Sequence, residues 1–130
     1  MANILVVEDD LLVLETLISA LEHRGHTVAR ALNGLQGLQR FCEQKFDLVI
    51  TDIIMPKEEG LGMILKMRTQ DPDVKIVAIS GGGRTGNVEF LRMAEGLGAM
   101  ATIDKPVRLA TLFDVLDRCL DTHAVASASP

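Results

Sequence analysis

Short apolar runs alternate along this chain with amphipathic segments, and this alternation limits the folds that the chain can adopt. The apolar runs occupy residues 2–8, 26–32, 46–51, 74–80 and 99–104. Most of them are nearly continuous, as expected for parallel strands covered on both faces, and the second alternates weakly. Apolar residues in the intervening segments recur at helical spacing. The pattern predicts an α/β fold, a three-layer sandwich in which right-handed helical crossovers join five parallel strands.

Length and composition are those of an ordinary soluble domain. With 130 residues, 48% of them apolar and 24% charged, the chain fits one domain with a sizeable core. Its net charge of -5 argues against a nucleic-acid-binding surface, and no apolar run approaches the ~20 residues of a membrane span. The amino-terminal residues MANILVV are too short and too uncharged for a secretory signal. We therefore expect a cytoplasmic protein that binds neither nucleic acid nor membrane, with Cys42 and Cys119 as apolar core residues.

Polar residues mark the carboxyl ends of the predicted strands. Glu8 and Asp9 stand at the end of the first strand, Asp52 at the third, Ser80 at the fourth and Lys105 at the fifth. The carboxyl ends of parallel strands meet at one edge of the sheet, and ligands bind in the crevice where the strand order reverses. The sequence therefore predicts one site that contains three carboxylates, one hydroxyl and one ammonium group.

The clustered carboxylates indicate metal-assisted phosphoryl chemistry. Two carboxylates ~4.5 Å apart repel each other by roughly 3–4 kcal/mol at an effective dielectric constant of about 20, so the cluster either takes up a proton or attracts a cation. Hard oxygen ligands with open positions for water and phosphate suit Mg²⁺. Asp52, with Ser80 and Lys105 nearby, would be placed to attack a phosphoryl group and form an aspartyl phosphate. A purely structural arrangement, with Asp9 capping a helix and Lys105 in a salt bridge, would need all of these positions to coincide by accident.

Four sequence motifs together resemble a known family. ILVVEDD, DLVITDIIMPKEEG, IVAISG and GAMATIDKPV follow one another in the order and spacing of receiver domains of bacterial two-component response regulators. The resemblance implies a flavodoxin-like fold with strand order 2-1-3-4-5, like that of the single-domain, chemotaxis-regulator-like receivers. We expect a receiver domain over residues 1–121. Residues 122–130 are small and polar, and we expect them to be a disordered tail.

The resemblance also implies a role for each site residue. Asp52 is the expected phosphoacceptor, and the expected donor is a sensor histidine kinase or a histidine phosphotransfer protein. The expected ligands of Mg²⁺ are Glu8, Asp9, Asp52 and the backbone carbonyl of Ile54. Ser80 is the expected switch hydroxyl and Lys105 the expected phosphate-binding lysine, and Pro106 is expected to follow a cis peptide bond.

Two positions depart from the family pattern. Thr102 stands where an aromatic residue is often the second switch element, and Val107 stands where phenylalanine commonly follows Lys-Pro. Thr102 has too little volume to act as a moving ring. We therefore expect the conformational response to depend on Ser80 and on a switch loop at residues 81–86. That loop begins with the consecutive glycines Gly81, Gly82 and Gly83, which lower the backbone barrier to rearrangement.

Two other functions compete with the receiver hypothesis. GGGRTG at residues 81–86, with Asp104 further along the chain, fits the glycine pattern of a dinucleotide-binding domain. This motif follows the fourth predicted strand, which leaves too little chain for such a domain and leaves the three carboxylates unexplained. A Mg²⁺-dependent phosphatase also uses an aspartyl nucleophile, but Ile54 occupies the position where its second acid is usual.

The predicted function is a phosphorylation-dependent switch rather than an enzyme with an external substrate. The chain would catalyse only its own phosphorylation and dephosphorylation. No output domain follows Leu120 in this sequence, so we expect the signal to leave by contact with a downstream protein. Two alternatives stay open, a stand-alone receiver and a receiver cut from a longer protein. By resemblance, the contact surface is the face formed by the fourth helix, the fifth strand and the fifth helix, with these helices predicted near residues 88–96 and 107–120.

Overall fold

The computed structural model describes residues 2–53, 59–80, 92, 95, 96 and 98–120. Within these residues five strands form one parallel sheet in the order β2-β1-β3-β4-β5. The strands are β1 (Asn3–Val7), β2 (Thr27–Ala31), β3 (Leu48–Asp52), β4 (Ile76–Ser80) and β5 (Ala101–Asp104). The α/β class and the strand order predicted from the sequence are confirmed.

The helices of the described residues lie between and after the strands. They are α1 (Leu11–His23), α2 (Gly34–Glu43), α3 (Glu59–Gln70) and a C-terminal helix (Leu109–Leu120). Asp10 caps α1 and Asn33 caps α2, and each side chain accepts hydrogen bonds from first-turn amides. None of these helices is long and apolar enough to cross a bilayer. Most of the predicted fourth helix and the predicted tail at residues 122–130 lie outside the described residues.

Alternate residues of the central strands face two separate hydrophobic cores. On one face of the sheet, Ile4 and Val6 of β1 pack with apolar residues of α1 and the C-terminal helix. On the other face, Leu5 and Val7 pack with apolar residues of α3. All four of these β1 side chains are fully buried. Burial on both faces explains why β1 is a continuous apolar run rather than an alternating one.

Two details of the sequence prediction are wrong. Cys42 is exposed on α2, because adjacent residues of a helix point in different directions and its neighbour Phe41 is the one that packs against the core. Cys119 is buried as predicted. The fourth strand begins at Ile76, two residues later than predicted. Val74 is buried, but its amide donates to the carbonyl of Asp71 within the loop and so does not join the sheet.

Candidate functional site

The central strands bring two acidic segments together at the carboxyl edge of the sheet. β1 pairs with β3, so Glu8, which follows β1, lies near Asp52, the last residue of β3. The Glu8 amide donates to the carbonyl of Ala31 (3.0 Å) and so holds this segment against the end of β2. β2 and β3 flank β1 on opposite sides, so the site lies where the strand order reverses.

Two of the three predicted carboxylates are removed from water. Glu8 is 0% exposed and Asp52 is 3% exposed, whereas Asp9 is exposed. One carboxylate oxygen from each of the three residues lies within 4.8 Å of the other two. Negative charges this close together destabilise one another where water cannot screen them, so the cluster needs a positive partner.

Lys105 supplies positive charge to the carboxylate cluster. It follows β5, and its long side chain passes the end of β4 to reach the acidic cluster. Its Nζ donates a hydrogen bond to Asp52 Oδ2 at 3.0 Å and lies 2.9 Å from Glu8 Oε1. The contact with Glu8 is an ion pair, and the buried Oε1 has no further partner among the described residues.

Burial perturbs the acid-base behaviour of this contact. It raises the pKa of Glu8 to about 7, and the charge of Asp52 acts in the same direction. The amide of Asp10 and the ammonium of Lys105 oppose this rise in pKa without cancelling it. For Lys105, burial acts to lower the pKa, but the contacts with Glu8 and Asp52 outweigh burial and raise it. The lysine therefore stays charged at neutral pH, while Glu8 changes its protonation state there.

The carboxylate cluster fits a magnesium ion. Three separate carboxylates can each offer an oxygen, and the exposed position of Asp9 leaves room for the waters that Mg²⁺ usually retains. Glu8 Oε1, which is buried with no partner beyond Lys105 among the described residues, is an acceptor that such an ion would satisfy. The carbonyl of Ile54, predicted as a further ligand, lies outside the described residues.

Comparison with known proteins agrees with this geometry. Residues 4–117 match the family model of the response regulator receiver domain. The chain belongs to this family. It is 32% identical over 129 residues, 99% of the chain, to the DNA-binding transcriptional regulator NtrC of Azospirillum brasilense. The match covers 26% of that relative, so the chain spans about a quarter of its length.

Solved receiver structures share the fold of this chain. A CheY-like receiver domain protein of Methanospirillum hungatei superimposes with a TM-score of 0.87 at 28% identity, over 97% of this chain and 98% of that one. The response regulator TrrA of Thermotoga maritima, in complex with Mg²⁺-BeF, superimposes with a TM-score of 0.78 at 28% identity, over 92% of this chain and 100% of that one. These matches confirm the flavodoxin-like fold predicted from the sequence.

The remaining predicted site residues of this receiver domain are only partly described. Ser80 ends β4, next to the pair formed by Asp52 and Ile79 in the sheet register, but its side chain lies outside the described part of the structure. The peptide bond between Lys105 and Pro106 is cis, the isomer that the resemblance implies. The switch-loop glycines at residues 81–83 lie outside the described residues.

The strand order of the sheet argues against the dinucleotide-binding hypothesis. The strand order β2-β1-β3-β4-β5 differs from the 3-2-1-4-5-6 order of dinucleotide-binding domains. The glycine motif at residues 81–86 is outside the described residues, and Asp104 is an exposed residue that ends β5. The family match also includes the acidic cluster, which the dinucleotide-binding hypothesis leaves unexplained.

One residue next to the site was not predicted from the sequence. Asp10, rather than Asp9, caps α1, and the Asp10 amide also donates to Glu8 Oε2 at 3.0 Å. An acidic residue directly before the first apolar residue of a helical pattern is a capping signal. That signal could have identified Asp10, but it does not show that the same residue also contacts Glu8.

Proposed function

We propose that this receiver domain is a phosphorylation-dependent switch in a two-component phosphorelay. Asp52 accepts a phosphoryl group from a sensor histidine kinase or a histidine phosphotransfer protein in a Mg²⁺-dependent reaction. The domain acts in the cytoplasm, has no external substrate and signals by protein contact. One observation carries the proposal: the buried aspartate that ends the central strand β3 accepts a hydrogen bond from a lysine and lies beside two further carboxylates.

Asp52 is the nucleophile in this proposal. One of its carboxylate oxygens forms a bond to phosphorus while the bond from phosphorus to the donor's histidine nitrogen breaks, and the electron pair of that bond leaves with the imidazole. The position of Asp52 in the sheet supports this role. The strand fixes its backbone, and the hydrogen bond from Lys105 fixes one of its oxygens.

Lys105 neutralises charge on the transferred group. Its ammonium stays protonated at neutral pH because its contacts with Glu8 and Asp52 raise its pKa. Since it already lies 3.0 Å from Asp52, a small movement would place it against a phosphoryl oxygen.

The metal requirement of the proposal rests on the acidic cluster. Mg²⁺ held by Glu8, Asp9 and Asp52 would supply further positive charge to the phosphoryl oxygens. The geometry of the three carboxylates supports this assignment, as does the Mg²⁺-BeF complex of the similar protein TrrA.

The proposed output surface is the face of the fourth helix, β5 and the C-terminal helix. Thr102 lies on the edge strand β5, where it pairs in register with Ala78. A threonine cannot report phosphorylation by moving a large ring between the interior and the surface. We therefore assign the response to Ser80 and the switch loop at residues 81–86.

A small phosphodonor tests this function directly. With Mg²⁺ and phosphoramidate, intact-mass measurement should show one added phosphoryl group on the unaltered protein. Asp52→Asn should abolish the addition, because an amide is not a comparable nucleophile. Asp47→Asn is the matched control, since it makes the same change to an exposed aspartate just before β3, and it should be labelled normally. Undiminished labelling of Asp52→Asn, or no labelling of the unaltered protein, would contradict the proposal.

A further inference from the structure

Asp10 connects the acidic cluster to α1 through three of its own groups. Its backbone amide donates to Glu8 Oε2 (3.0 Å), and its carbonyl accepts the Leu14 amide (2.9 Å), the first hydrogen bond of the helix. Its side-chain Oδ1 accepts the amides of Leu12 (3.0 Å) and Val13 (3.3 Å). A displacement of the first turn of α1 would therefore move the amide that contacts Glu8.

Two contacts orient the Glu8 carboxylate, the ion pair with Lys105 and the Asp10 amide, and the amide is the one that comes from its own segment of chain. Glutamate has one more rotatable bond than aspartate, so its backbone position alone does not place its oxygens. Of its two oxygens, Oε2 accepts the Asp10 amide, and Oε1 forms the ion pair with Lys105 at 2.9 Å. The Asp10 amide therefore fixes the rotation of the carboxylate and determines which oxygen faces Lys105 and the other acids.

We propose that Asp10 is a positioning residue for cation binding by the acidic cluster. The Asp10 side chain caps α1 and thereby holds the Asp10 backbone amide in place. That amide orients the Glu8 carboxylate toward the cation site. This inference rests on the proposed function, because it assumes that Glu8, Asp9 and Asp52 bind Mg²⁺.

The role of Asp10 differs from that of an ordinary helix cap, and the chain contains a matched example of one. Asn33 caps α2 by accepting the Gln36 amide at 2.9 Å. Both residues are N-caps of helices that begin at the carboxyl edge of the sheet, so removing either side chain should cost similar stability. Asn33 has no hydrogen bond to Glu8, Asp9 or Asp52 among the bonds that the described residues show. Only the loss of the Asp10 cap is therefore expected to weaken cation binding.

The test compares Mg²⁺ affinity in the two cap variants. The chain contains no Trp or Tyr, so binding is followed by titrating Mg²⁺ against backbone amide chemical shifts. Asp10→Ala keeps the backbone amide and removes only the cap that holds it, so it should weaken binding by up to about tenfold, the low end of the effect of removing an outer partner from a metal ligand. Asn33→Ala should keep the affinity of the unaltered protein, although both variants should melt about 4 °C lower.

Conservative variants separate positioning from charge. Asp10→Ser and Asp10→Asn keep an N-cap acceptor without a negative charge, so both should bind Mg²⁺ nearly as well as the unaltered protein. If both bind as weakly as Asp10→Ala, the effect of Asp10 is electrostatic and the positioning role is wrong. Unchanged affinity in Asp10→Ala, or an equal loss in Asn33→Ala, would also overturn it. Absence of Mg²⁺ binding by the unaltered protein would instead overturn the metal site of the proposed function, and this inference with it.

Discussion

An aspartate stands near each end of β3, and the two differ in what surrounds them. Asp47, just before the strand, is exposed, and its Oδ2 accepts the backbone amide of Asn3 at 2.8 Å. Asp52, the last residue of the strand, is buried and accepts a hydrogen bond from Lys105. At the amino end of the sheet an aspartate side chain accepts a backbone amide, and at the carboxyl end an aspartate side chain contacts another charged group.

Two lysines show the same contrast between the ends of the sheet. Lys75, just before β4, donates to the carbonyl of Cys119 in the last turn of the C-terminal helix (3.1 Å). Lys105, just after β5, contacts the buried carboxylates of Glu8 and Asp52. Removing charges from water costs free energy that their mutual attraction does not always recover. At the amino end these side chains support backbone groups, whereas at the carboxyl end they bury charges beside one another at some cost in free energy.

The largest expected difference between the two ends is a pH dependence that arises from Glu8. In the metal-free protein the free energy of unfolding should fall by roughly 3 kcal/mol as pH rises from about 4.5 to about 7. The folded protein holds a proton on Glu8 over this interval, whereas the unfolded chain has already released it. This contribution is fully present below pH 4.5 and is lost as pH rises through 7. Urea unfolding across this range measures it.

Other carboxylates also titrate, so the effect is read as a difference between variants. Glu8→Gln cannot ionise, and its unfolding free energy should lack the component that falls between pH 4.5 and 7. Asp47→Asn, at the amino end, should keep that component. Parallel pH profiles for Glu8→Gln and the unaltered protein would show that Glu8 has an ordinary pKa in the folded state.

The second expected difference concerns the lysines. At pH 8 without metal, Lys105→Met should lower the unfolding free energy by about 2 kcal/mol, because it leaves two buried carboxylates without their cation. The partial exposure of Lys105 keeps this loss below that of a fully buried ion pair. Lys75→Met should cost about 1 kcal/mol or less, because the hydrogen bond it removes is to an uncharged carbonyl at the end of a helix. Urea unfolding of the two variants measures both losses. Equal losses would mean that the acidic cluster does not depend on Lys105 for its stability.

Much of the fold could be predicted because two-sided burial leaves a direct trace in the sequence. β1 is apolar at every position from Ile4 to Val7, and the polar residues Glu8 and Asp9 mark where burial in the sheet ends. Parallel pairing then brings the strand ends together, which is why the carboxylate cluster could be predicted from spacing alone.

The features that could not be predicted depend on distances between strands that are far apart in sequence. Spacing predicted that Lys105 belongs to the site, but the 2.9 Å contact with Glu8 requires the lysine side chain to reach past β4, and the sequence does not reveal that reach. The raised pKa of Glu8 follows from complete burial of its side chain, which the end of an apolar run does not imply. The exposure of Cys42 depends on how α2 is rotated against the sheet. The apolar character of cysteine alone does not show on which side of the helix it lies.

The third expected difference, stabilisation by Mg²⁺, should arise at the carboxyl end alone. An ion present at about ten times its Kd should raise the unfolding free energy by about 1.4 kcal/mol, because it binds only the folded cluster. Glu8→Gln with Asp9→Asn should remove this gain, since one carboxylate of the three then remains. Asp71→Asn with Asp73→Asn makes the same change of charge in the loop before β4, where Asp71 accepts the Asp73 amide, and should leave the gain intact. Thermal unfolding with and without Mg²⁺ measures all three proteins. If the second pair loses the gain and the first keeps it, Mg²⁺ binds at the amino end of the sheet, and the contrast between the two ends is reversed.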